Sequence, residues 1–138
     1  MSFNYNKMFD EADKAVRNND YERAISIYKR VLESDKRESV IVAKNLLGKI
    51  YEEISQINDA EKLYKENIEE GFDGTHPYMR LAIIYKNQNR IEEELEILKR
   101  AIDFFRQYYN DDPSRVMVLE TISNFEARLD KALKRKRK

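Results

Sequence analysis

The 138 residues set 26 lysines and arginines against 26 aspartates and glutamates, with 41% hydrophobic and 38% charged positions, a balance suited to thin helical layers rather than a thick globular core. One histidine and no cysteine exclude disulfide frameworks, thiolate chemistry and metal sites of ordinary composition, so no cofactor is expected. The longest apolar run, Leu81-Ala82-Ile83-Ile84-Tyr85, is too short to span a bilayer, and Met1-Ser2-Phe3-Asn4 has no basic-then-apolar signal, which points to one cytoplasmic domain over 1–138.

Only three glycines and two prolines interrupt the chain, which permits long helices. Met8, Ala12 and Ala15, with Val16, have the 3.6-residue period of an amphipathic helix from about Tyr5 to Val16, stopped by Asn18-Asn19-Asp20. A second helix follows from Tyr21 to about Glu33 and buries Ala24, Ile27, Tyr28, Val31 and Leu32. The third starts at Glu38 or Ser39 and runs to about Ile54, with Val40, Ala43, Leu47, Ile50, Tyr51 and Ile54 inward. Asn58 is read as the cap of the fourth, and Gly71 as its stop. Thr75 and Pro77 suit the start of a fifth helix, and a sixth runs from about Ile91 to Tyr109. Asp112-Pro113 reads as cap and first residue of a seventh, with Val118, Leu119, Ile122, Phe125, Leu129 and Leu133 as a single apolar stripe.

Small and large residues recur along these helices at one interval. Ala12 to Gly48, Ala24 to Ala60 and Tyr28 to Tyr64 are each 36 residues; Gly48 to Ala82, Ala60 to Glu94 and Tyr64 to Leu98 are each 34. The difference locates a two-residue insertion in Ser34-Asp35-Lys36-Arg37-Glu38-Ser39. A two-helix unit of about 34 residues, with Leu47, Gly48, Tyr51, Ala60 and Tyr64 in the middle copy, resembles the tetratricopeptide repeat family. Tyr78, Leu81, Ala82, Tyr85, Leu98 and Ala101 carry the resemblance in the third copy, and Ala12, Tyr21, Ala24 and Tyr28 in the first. Glu11 stands where the family prefers leucine, Glu94 where it prefers a small residue, and Lys36, Phe72 and Arg106 where a proline commonly closes the unit. The resemblance implies an all-α superhelix of three helix-turn-helix repeats, 5–40, 41–74 and 75–108, plus a capping helix over 113–136.

In that family the first helix of each pair lines a concave, peptide-binding face. Transferred residue by residue, this implies Asn6, Phe9, Asp13 and Arg17 in the first repeat, Val42, Asn45, Lys49 and Glu52 in the second, and Met79, Ile83, Lys86 and Asn87 in the third. Apolar Phe9, Val42, Met79 and Ile83 among amides and ammoniums suit a peptide held by burial and fixed in register by polar groups. The competing expectation is that the seventh helix, or a second copy of the chain, covers those residues. One subset of the family grips a C-terminal carboxylate; Arg80 matches one of its positions, whereas Phe9, Asp13, Leu46 and His76 do not, so such a clamp is not expected.

No glycine-rich phosphate loop or nucleophile context occurs, and no enzyme is expected. His76 beside Pro77 reads as a solvated helix-start residue, and Glu92-Glu93-Glu94 with Glu96 as acids complementing a helix dipole. The last eight residues hold six lysines or arginines and no acid, leaving 20 basic against 26 acidic side chains elsewhere. That tail could meet nucleic acid, an acidic partner or an anionic membrane surface, or simply complement the dipole at a helix C-terminus; nothing aromatic interleaves it to stack on bases, so nucleic acid is disfavoured. The expectation is a non-catalytic scaffold or adaptor that binds a protein or peptide, with self-association as a homodimer the alternative and nucleic-acid contact the third reading.

Overall fold

A computed structural model describes residues 4–138, so the signal expectation at Met1-Ser2-Phe3 lies outside the described residues. The described chain is all-α. A first unit, ending at Asp73, contains α1 (Tyr5–Arg17), α2 (Tyr21–Leu32), α3 (Arg37–Glu53) and α4 (Ile57–Glu69). A second, Gly74–Lys138, contains α5 (His76–Asn87), α6 (Ile91–Asp111) and α7 (Val118–Lys136).

The repeat is visible in the backbone itself. Asn19, Ser55 and Asn89, spaced like the side-chain markers, are the non-glycine residues with positive φ among the described residues, at 59°, 64° and 58°. Each follows the first helix of a hairpin, and the next residue returns its N–H to the helix: Asp20 to the Ala15 carbonyl at 2.8 Å, Gln56 to Tyr51 at 2.7 Å, Arg90 to Tyr85 at 2.8 Å. This left-handed stop satisfies carbonyls that the helix end would otherwise orphan. Asparagine tolerates that conformation through its short polar side chain; serine does so less well.

These turns place small residues at the helix crossings. Ala12, Ala24 and Ala60 have no exposed surface, and Ala82 has 3%. Gly48 makes the tightest approach: a Cβ built there would lie 2.6 Å from the Cε1 of Tyr64. The Tyr64 ring is fully buried, and its hydroxyl donates to the Glu52 carboxylate at 2.6 Å, which pins the ring. The two-residue insertion lies where the spacing puts it, as helix rather than loop: α3 begins at Arg37 with an extra turn. The Arg37 guanidinium donates to the Glu70 carbonyl, tying that turn to the C-terminal end of α4.

In the second unit, Tyr78, Phe105 and Phe125 bring α5, α6 and α7 together, the Phe105 and Phe125 rings stacking at 5.9 Å and 8°. The buried Glu94, with 4% of its side chain exposed, is held by Arg135 of α7 through two bonds of 2.9 and 2.5 Å. Lys136 reaches Glu92 at 2.7 Å. The acidic run that opens α6 and the basic end of α7 are therefore partners.

Two helix starts and one cap bond differ from the sequence expectation. Asn58 does not cap α4: the Ser55 turn ends two residues sooner, Gln56 precedes the helix, and no side chain caps it. Thr75 precedes α5 as expected but forms no side-chain cap bond. Asp112-Pro113 does not start α7. The Asp112 carboxylate accepts from the Ser114 N–H and hydroxyl at 3.1 and 2.6 Å, closing a local turn, and α7 begins at Val118. The expected 113–136 helix thus loses its first turn to an Asx-type bend.

Gly48→Ala should lower the melting temperature, because overpacking a pinned ring costs about 1–3 kcal/mol and outweighs the ~1 kcal/mol gained in helix propensity. Adding Tyr64→Leu, the residue type at the equivalent Leu98, should recover part of the loss. Ser55→Gly should stabilise the fold by about 0.5 kcal/mol, since removing left-handed strain exceeds glycine's entropic cost; chemical denaturation reads both. Arg135→Ala should cost more than Glu94→Ala, about 2–3 against about 1 kcal/mol, because the first strands a buried carboxylate while the second frees a guanidinium to reach water. Equal losses in the two variants would mean the pair contributes packing alone.

Candidate binding surface

In the first unit, the residues implied for a groove divide by what they touch. Asn6, Asp13, Arg17, Val42 and Lys49 are exposed. Val42 is one of the largest apolar side chains left open, at 45% exposure, and Arg17 is ion-paired with Asp13 one helical turn away. Phe9 is half-buried with its ring 5.9 Å from that of Tyr28. Asn45 and Glu52 face the packing instead. The Asn45 Oδ1 accepts from the buried Asn67 amide at 2.8 Å, the same amide donating to the Ile41 carbonyl at 3.0 Å, and Glu52 receives the Tyr64 hydroxyl.

Asp13 of α1 and Lys49 of α3 come together at a cavity of about 320 Å³ that Val16, Leu46 and Ile50 also line. Tyr28 forms part of its wall; burial raises the phenol above its ordinary pKa, and the nearby Asp13 carboxylate adds to the effect. Val42, Leu46 and Lys49 lie four and three residues apart, on one side of α3. Aliphatic and tyrosine walls, with the Asp13 and Glu53 carboxylates and the Lys49 ammonium around them, can bury a side chain and orient the backbone beside it.

In the second unit, Met79 and Ile83 are half-buried and Lys86 and Asn87 exposed. Met79 and Lys86 share a cavity of about 440 Å³ with Asn124, Arg128, Lys131 and Arg135 of α7. The sequence reading assigned α7 a covering role, weighed Lys131 and Arg135 only as part of the basic tail, and passed over Asn124 and Arg128. Their spacing of four, three and four residues is the signal that could have found them, a polar stripe beside the apolar one. Arg80 is half-buried, and His76 is the first residue of α5, also half-buried.

Among the described residues, no group of three or more histidines, cysteines or acids is placed to hold a metal ion, and no helix is long and apolar enough to cross a membrane.

The comparisons agree with the backbone repeat. Family models described as tetratricopeptide repeat match residues 15–40 and residues 78–114. The first match spans the Asn19 turn and all of α2, and the second spans α5 from Tyr78 onward, the Asn89 turn and α6. No curated protein matches the chain. With hairpins of this period, each closed by the same left-handed turn and matched at two separate places, the chain belongs to the tetratricopeptide repeat family.

Proposed function

We propose that this protein is a non-catalytic interaction module that docks a peptide or protein segment on the exposed face of its first-of-pair helices. Tetratricopeptide repeats are generally protein–protein interaction modules, and this chain carries them. The observation that supports the finer reading is the cavity between α1 and α3, where Asp13 and Lys49 flank Val16, Leu46 and Ile50, with Val42 exposed one turn along. The exposed Val42 offers apolar area for a partner to cover, and Asp13 and Lys49 can fix the polarity of a bound backbone.

Self-association is the second reading, supported by a different feature. Val116 at 59%, Met117 at 79% and Leu119 at 47% exposure leave a small apolar knob where α6 turns into α7. Light scattering of wild type against Met117→Glu across a concentration range reads it: a dimer lost in the variant would replace the peptide-docking reading. Nucleic-acid contact through the tail has less support, because Lys134, Arg135 and Lys136 are ion-paired with Asp130, Glu94 and Glu92.

Peptides selected from a random displayed library should bind wild type and lose about tenfold or more in affinity to Val42→Asp combined with Lys49→Glu, an effect worth ~1.4 kcal/mol. Both positions are exposed, so the double variant should keep its helicity. Selected peptides that bind the variant as well as wild type would remove the α1–α3 face from consideration.

A further inference from the structure

We infer that the cleft between α5 and α7 receives an acidic peptide segment, whose carboxylates are read by Lys86, Arg128 and Lys131 over an aliphatic floor that includes Met79. This rests on the reading of the chain as a peptide-docking module and names the class of peptide it takes.

The argument is one of charge. Most basic side chains near the end of α7 have a stated partner: Lys134 is paired with Asp130, Arg135 with Glu94 and Lys136 with Glu92. Lys86, Arg128 and Lys131 form no ion pair among the described residues, yet they line one cavity of about 440 Å³. The one acid lining it is Glu94, whose carboxylate is almost fully buried and held by both arms of Arg135. The cleft therefore presents three unmatched positive charges and no available negative one.

The helix dipole does not account for this placement. Lys134, Arg135 and Lys136 stand in the last turn of α7, where cations meet the dipole's negative end. Arg128 and Lys131 stand earlier, beyond the reach of that effect, and on the stripe that runs Asn124, Arg128, Lys131, Arg135. The neighbouring side of α7 is consumed by packing, with Ile122, Phe125 and Ala132 buried. Like charges gathered in one cleft repel one another, and a segment rich in aspartate and glutamate relieves that repulsion on binding.

The lining also discriminates between polyanions. No aromatic side chain lines the cleft to stack a base, which disfavours single-stranded nucleic acid. Met79 and Ala127 offer instead a soft aliphatic surface suited to a leucine or methionine between acidic residues, and Asn124 can bond a peptide backbone.

Fluorescence anisotropy on the full chain tests this with three labelled probes: a peptide of repeated Asp-Glu-Leu triplets, its Asn-Gln-Leu counterpart and an oligothymidylate. The acidic peptide should bind at least about tenfold more tightly than the amide peptide and weaken as salt is raised. The triple variant Lys86→Glu, Arg128→Glu, Lys131→Glu should lose at least about tenfold in affinity for it, with the glutamine triple variant intermediate. Circular dichroism of both variants confirms that they fold. Equal binding of the two peptides, or indifference to the glutamine variant, overturns the inference, as does an oligothymidylate bound more tightly through the same residues. An amide peptide that binds as well as the acidic one and loses affinity in Val42→Asp with Lys49→Glu sinks the acidic cleft alone; no binding of either peptide, with no binder from the displayed library, sinks the docking reading with it.

Discussion

The close approach of α3 to α4 sets the geometry of the first unit. A tyrosine ring lies where the Cβ of any residue but glycine at position 48 would be, and the ring is fixed by its own hydrogen bond to Glu52. Interiors packed to crystal-like density accommodate no such overlap without movement of the helix axis. The marker spacing of the repeat is thus a packing constraint written along the chain: a small residue on one helix is answered by a large one on the next. Where the pattern relaxes, at Ala82 and Leu98, both members change size together in the direction that keeps the crossing filled.

Glu94 departs furthest from that pattern. A carboxylate buried at a position where the family prefers a small residue would cost several kcal/mol if left alone. It is compatible with the fold because α7 returns a guanidinium to it, planar against planar, through two charge-assisted bonds. The consequence extends to composition. The acidic opening of α6 and the basic end of α7 each read as a local complement to a helix dipole, yet they meet across 41 residues of sequence and fasten the last helix to the second unit. A net charge of zero for the whole chain conceals this arrangement entirely.

The two units offer chemically different surfaces. In the first, aliphatic and tyrosine walls carry two carboxylates, Asp13 and Glu53, and one ammonium, Lys49. In the second, cations outnumber the single neutralised acid. Both surfaces are made of helix faces rather than loops, so their side chains are positioned by the same packing that spaces the repeat. Modules of this kind gain selectivity from charge pattern more readily than from shape, because an open helix face encloses little of its ligand.

The sequence by itself determined the helices, their pairing into hairpins, the period and the residues at each crossing, because helical periodicity and the size alternation of Ala12, Gly48, Tyr64 and their counterparts are local or regularly spaced signals. It also located the insertion between the first two repeats. Only the tertiary structure decided which polar groups at those helices are free. Asn45 and Glu52 occupy positions that a repeat pattern assigns to a groove, but Asn67 and Tyr64 hold them, and each of those partners lies on a different helix. The start of α7 was likewise hidden, since Asp112 can cap a helix or bend a turn and only the hydroxyl of Ser114 selects between them. Side-chain hydrogen bonds between helices depend on rotation and distance to within an ångström, and a pattern of residue types does not carry that information.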